Sequence, residues 1–192
     1  MSEDLGRTAQ LDVLFAGYAG ARVAGTVSLI RDGDRVIVVD PGMVPERAAI
    51  LEPLADLKVS PDEVTDVVLS HHHPDHTVNI ALFGEVPVHD FQAVYTGDVW
   101  ERRPCDGVQL TPSVRLLATP GHTPQDLTVL VGTPNGVHAL THLWWKADGP
   151  ADDPYAPDRE TLSTQRARVL ELADVIVPGH GPSFVPDGST PR

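Results

Sequence analysis

The stretch VVLSHHHPDHTV, residues 67–78, sets the terms on which the rest of the chain is read. Its first three residues are an apolar run of the kind that ends a buried strand. With the small Ser70 it runs into three histidines, a proline, an aspartate and a fourth histidine. A strand delivers its last side chains to a fixed edge of a sheet, and Pro74 compels the chain to turn there. His71, His73, Asp75 and His76 are therefore expected together on a rigid support. Neutral imidazole nitrogen with a carboxylate oxygen is the donor set of a Zn²⁺-type ion, with Fe²⁺ and Mn²⁺ as the other candidates. His72 alternates away from its neighbours and reads as a packing or supporting residue.

Upstream, residues 11–16 read as a strand, and residues 26–31 and 35–40 flank Asp32-Gly33-Asp34, a hairpin signal. The continuous apolar run 36–39 suits a strand covered on both faces and ends at Asp40-Pro41-Gly42, a carboxylate at a forced turn. Residues 45–57 carry apolar positions at helical spacing, with Pro45 in the first turn. Downstream, a short helix over 78–83 stops at Gly84, and residues 90–107 read as irregular. Strand pairs follow at 108–110 with 114–118, and at 127–131 with 137–140 around Thr133-Pro134-Asn135-Gly136. The Pro/Asp/Gly-rich run 146–158 reads as a lid or subunit contact, before a helix over 160–172 and a strand over 175–177. No linker divides the chain, so residues 1–192 read as one α+β domain with two sheets and helices outside.

Six of the nine histidines, His71, His73, His76, His122, His142 and His180, fall where an apolar strand stops and a turn begins. Ligands from separate strand ends can converge on one sheet edge, whereas chance would scatter them. His89 and His138 lie in or beside strands and are read as non-ligands.

The pattern His71-x-His73-x-Asp75-His76, with His122 in Thr-Pro-Gly-His and His180 in Pro-Gly-His-Gly, resembles the metallo-β-lactamase-fold hydrolases, near the glyoxalase II branch. The resemblance runs from residue 11 to about residue 185. It implies a four-layer αββα sandwich with metals at the open edge between the sheets. Carried over by position, His71, His73 and His122 form one metal site, and Asp75, His76 and His180 the other. Asp40 matches an aspartate that orients a ligand histidine, beside the plainer reading of a turn cap. At the place where the family has a bridging aspartate, this chain has His142. A neutral imidazole offers one lone pair and cannot bridge two ions, so one Zn²⁺ or two unequally held ions are expected. Asp75 doubles as the catalytic residue that positions water or takes its proton. Trp144 and Trp145, next to His142, read either as an apolar substrate wall or as core or dimer contacts.

Composition narrows the function further. The formal charge of −13 disfavours nucleic acid and anionic membrane as partners. Cys105 is the only cysteine, which excludes an internal disulfide and fits a reducing compartment. The N-terminus, MSEDLGRTAQ, lacks the basic and apolar regions of a signal peptide, and no window nears the ~18 apolar residues of a membrane span. A cytoplasmic metal-dependent hydrolase of a small-molecule ester or thioester is the leading expectation, with a homodimer through residues 143–158 open. A phosphodiesterase or ribonuclease of the same fold, and a non-catalytic metal-binding protein, are the alternatives.

Overall fold

Strand alternation sorts the apolar side chains of this protein into three layers. The computed structural model describes residues 5–192, so the first four residues of the polar N-terminal stretch lie outside it. In chain order come β1 (Gln10–Phe15), the ribbon β2 (Tyr18–Ala19) and β3 (Val23–Ala24), β4 (Val27–Asp32), β5 (Arg35–Val39) and helix α1 (Ala48–Asp56). Next are β6 (Asp66–Val68), helix α2 (Pro74–Thr77), β7 (Val88–His89), β8 (Ala93–Thr96) and β9 (Val99–Arg102). The second half holds β10 (Gln109–Thr111), β11 (Val114–Ala118), β12 (Leu127–Thr133), β13 (Gly136–Thr141), helix α3 (Arg159–Leu170) and β14 (Val175–Pro178). One sheet runs β1-β4-β5-β6-β7-β8-β9 and the other β10-β11-β12-β13-β14.

Between the sheets, Ile37, Val39 and Val68 meet Leu127, Val129, Val131, Leu140 and Val177. One residue along each strand the side chains point outward. Val38 and Val67 pack on Ile50 and Leu54 of α1, while Leu130, Ala139 and Ile176 pack on Leu162 and Val169 of α3. Each fully buried Val, Leu or Ile contributes roughly 1.5–3 kcal/mol. The result is the expected αββα sandwich. Among the described residues no helix is long and apolar enough to cross a membrane.

The layers position the ligands. β5 and β6 are parallel, Val39 pairing with Val68, so Asp40 and the Ser70-His71 turn emerge side by side. β13 and β14 are also parallel, which brings the residues after Thr141 and Pro178 out at one end.

Two expectations need correction. Residues 90–107 are not irregular: β8 and β9 form a hairpin in which Thr96 pairs with Val99 and Gly97 takes φ 57° at the turn. All of β9 is exposed, so no apolar period marks it; backbone pairing to β8 holds it. Helix α1 begins at Ala48, later than expected, because no side chain caps Arg47 and its first turn is the tighter three-residue kind, with Ala49 N–H donating to Glu46 O. By contrast Asp158 caps α3, accepting from the backbone N–H of Glu160 and Thr161 at 3.2 and 3.1 Å.

Candidate metal centre

Strand ends bring all the sequence-selected ligands to one edge. His71 Nε2 lies 3.0 Å from His73 Nδ1, and His122 Nε2 lies 3.1 Å from the same atom. Donors held at about 2.05 Å on a tetrahedral ion stand about 3.3 Å apart, so this spacing is that of a coordination edge. A second group adjoins it: Asp75 Oδ2 is 3.5 Å from both His76 Nε2 and His180 Nε2. His142 sits between the groups, its ring centroid 4.6 Å from that of His71, 4.1 Å from His122 and 4.9 Å from His76 and His180. Its Nε2 is 3.0 Å from His180 Nε2. The imidazole fits there because Gly179 has no Cβ, which would otherwise collide with the ring of His142.

In four of the rings the nitrogen that faces away from the cluster has a protein partner, which decides which nitrogen is left free. His76 Nδ1 is 2.9 Å from Asp40 Oδ2 and His71 Nδ1 is 3.0 Å from Ser70 Oγ. His180 Nδ1 donates to Ala24 O at 2.9 Å, and His122 Nδ1 is 2.7 Å from Asp153 Oδ2. Asp40 also accepts from Ser70 N–H and Ser70 Oγ, both at 2.6 Å. One carboxylate therefore orients His76 directly and His71 through Ser70. Its backbone is at φ 52°, a left-handed conformation that aspartate tolerates better than most residues.

Electrostatics separate the rings. Burial, followed by the neighbouring histidines, holds His71 and His142 well below the ordinary histidine value. His73 and His180 are lowered chiefly by burial. His76 is the exception: burial, the largest single effect, works against its charge, but the carboxylates of Asp40, Asp75 and Asp126 together raise the value. Two buried nitrogens of this cluster, His76 Nε2 and His142 Nδ1, have no hydrogen-bond partner among the described residues. Such orphans cost free energy unless something else meets them. Neutral rings with converging lone pairs and orphaned buried nitrogens fit a divalent cation. Asp40 and Asp153 stand one hydrogen bond behind two of the candidate ligand rings and add their negative charge to that of Asp75.

The structure sorts the remaining residues the sequence left open. Trp144 is not part of a wall: it is 0% exposed, packs in the layer under α3 and donates its indole N–H to Pro191 O at 2.8 Å. Trp145 does face the site, its indole N–H donating to Asp153 Oδ2 at 2.8 Å. His72 points away and pairs with Asp90 at 3.0 Å, and His89 bonds Asp66 and Arg103 at 2.9 and 2.8 Å. Sequence reasoning missed Asp153 and Arg166. Asp153 lies in an aspartate-rich loop where nothing distinguishes it from its neighbours. Arg166 is fully buried and donates to the carbonyls of Leu143, Ala151 and Pro150 at 2.8, 2.8 and 2.7 Å.

A cleft of about 420 Å³ opens over the candidate ligands, lined by Ala19, Val23, His73, Asp75, Trp145 and Tyr155 among others. Among the described residues no lysine or arginine lines it.

A family model described as the metallo-beta-lactamase superfamily matches residues 20–185. The chain is 33% identical over 177 residues to metallo-beta-lactamase domain-containing protein 1 of Xenopus laevis, covering 83% of this chain and 72% of that one. Against the human protein of that name it is 37% identical over 159 residues, covering 77% and 59%. Over 112 residues, 50% of this chain and 38% of the other, it is 30% identical to a hydroxyacylglutathione hydrolase of Saccharophagus degradans. It shares its fold with a structure solved in a di-iron-bound form, at TM-score 0.65 and 22% identity, covering 89% of this chain and 94% of that one.

Proposed function

The chain belongs to the metallo-β-lactamase superfamily, and from that premise we propose that it is a metal-dependent hydrolase of a small-molecule ester or thioester. The observation that carries the reading is the pairing of two convergent candidate ligand groups with an apolar-sided cleft that no described lysine or arginine lines. His71, His73 and His122 would hold one ion and Asp75, His76 and His180 a second, and His142 would offer its single lone pair to one of them. Zn²⁺ suits this histidine-rich set best. A divalent cation bound there supplies Lewis acidity, which makes water nucleophilic near neutral pH and polarises the scissile oxygen. Asp75, which lines the cleft, accepts the proton of the attacking water. Asp40 and Asp153 keep the rings of His76 and His122 in the tautomer whose inward nitrogen is free.

The partial likeness to an acylglutathione hydrolase supports a thioester, since an acylglutathione is one. The absent lysine and arginine, together with the formal charge of −13, weigh against a polyanionic substrate. A second reading, metal binding without turnover, is favoured by His142: the central position is filled by a neutral ring with no lone pair for a second ion. We would follow hydrolysis of an aryl ester, a thioester and bis-p-nitrophenyl phosphate, with and without chelator, and in His73→Ala. Chelator-sensitive turnover of the carbonyl substrates is the expected result. Turnover of the phosphodiester alone promotes a nuclease, and turnover of none promotes the binding protein.

A further inference from the structure

The loop after β13 is tied to the metal centre and to the cleft by one carboxylate. Asp153 is 3% exposed. Its Oδ2 accepts from His122 Nδ1 at 2.7 Å and from the indole N–H of Trp145 at 2.8 Å, while its Oδ1 accepts from the backbone N–H of Tyr155 at 2.9 Å. The rings of Trp145 and Tyr155 stack, 5.8 Å apart and inclined by 20°, and each meets His122 edge-on at 5.9 and 5.6 Å. Tyr155 is 64% exposed, and both aromatic residues line the cleft opposite Ala19 and Val23. Beneath them Arg166 grips the loop through the carbonyls of Pro150 and Ala151. The carboxylate is thus set in a rigid frame.

We propose that Asp153 is a positioning residue for His122 and, through Trp145 and Tyr155, the anchor of a flat wall that receives an aryl or similarly planar apolar acyl group of the substrate. Two donors on one oxygen fix each other's direction: the ring of His122 cannot turn without disturbing the indole, nor the indole without the ring. A stacked aromatic pair presents one π-face to the cleft, and a planar acyl group covers that face better than a methyl does. The assignment of substrate rests on the hydrolase reading; the positioning of His122 does not.

The test uses the full chain loaded with Co²⁺. Affinity is read by competition with a chromophoric chelator, and ligand geometry by the visible spectrum. Asp153→Ala is expected to weaken Co²⁺ by about 10- to 100-fold, with a changed visible band and unchanged far-ultraviolet circular dichroism. Should that variant fail to fold, Asp153→Asn, which keeps the side-chain shape, carries the same measurement. Tyr155→Ala, altered at an exposed ring, is expected to keep wild-type Co²⁺ affinity. It is also expected to lose the quenching of tryptophan fluorescence by phenylacetate and the preference for phenylacetyl over acetyl esters, about tenfold in kcat/KM. Wild-type Co²⁺ affinity in the folded Asp153 variants overturns the positioning role, and undiminished phenylacetate quenching in Tyr155→Ala overturns the wall. If no ester is turned over by any form, the hydrolase reading falls, while affinity and quenching still decide this proposal.

Discussion

Replacing Asp40 by asparagine separates the orientation of a ligand from the stability of the fold. The left-handed φ of 52° is one that asparagine accepts as readily as aspartate, so the exchange adds no backbone strain. Native Oδ1 accepts from Ser70 N–H at 2.6 Å, and Oδ2 from Ser70 Oγ at 2.6 Å and from His76 Nδ1 at 2.9 Å. An amide has a single oxygen, and the immobile backbone donor of Ser70 claims it. The amide NH₂ then faces His76 Nδ1, which must become an acceptor. The ring proton moves to Nε2, the nitrogen that has no partner in the native protein and faces Asp75. Stability is expected to fall by only about 1–2 kcal/mol, since the serine hydroxyl can turn to accept from the new amide. Metal affinity is expected to fall 10- to 100-fold, or about 1.4–2.7 kcal/mol. Asp40→Ala reverses the balance: it strands Ser70 N–H and His76 Nδ1 without acceptors, at about 1–3 kcal/mol each. Urea unfolding gives the first quantity and Co²⁺ competition the second, while ¹⁵N chemical shifts of the His76 ring report the tautomer directly. Wild-type Co²⁺ affinity in Asp40→Asn, or a His76 ring still protonated at Nδ1, refutes the reasoning.

Three further outcomes are expected. Contact with Asp40 raises the value of His76 against the effect of burial, and an ion at Nε2 needs that nitrogen deprotonated. Affinity at the Asp75/His76/His180 group should therefore weaken as pH falls through a midpoint above the usual histidine value, while His71 and His142, shifted downward, stay neutral; Co²⁺ titrations over roughly pH 5 to 8 check this, and a flat profile contradicts it. Cys105 is 0% exposed and its thiol is pushed up to about 12 by burial, so a thiol reagent should find nothing in the native protein and one group per chain in denaturant. A Cβ at residue 42 would collide with the carbonyl of Asp75, which already accepts from Gly25 and Met43 N–H at 3.1 Å; Gly42→Ala should cost more than about 3 kcal/mol or prevent folding, and an unchanged thermal midpoint disproves the close approach.

Most of the ligand set was legible because its chemistry and its position coincide. Imidazoles and a carboxylate placed where apolar runs stop identify both the donor type and the sheet edge, and hairpins such as the one around Asp32-Gly33-Asp34 are local events that short-range chemistry governs. The β8–β9 hairpin escaped because an exposed edge strand carries no apolar period. Trp144 and Trp145, adjacent in sequence, could not be told apart until the chain's path sent one under α3 and the other into the cleft. Arg166 looks like any charged helix residue until its partners, the carbonyls at residues 143, 150 and 151, are folded around it. By itself the sequence determined which atoms can hold a cation and roughly where they gather, since residue type and strand-end placement are local properties. Only the tertiary structure decided which nitrogen of each ring faces inward and what stands behind it. That choice rests on hydrogen bonds that Asp40, Ala24 and Asp153 accept from rings 36, 156 and 31 residues away, and nothing but folding brings them within reach.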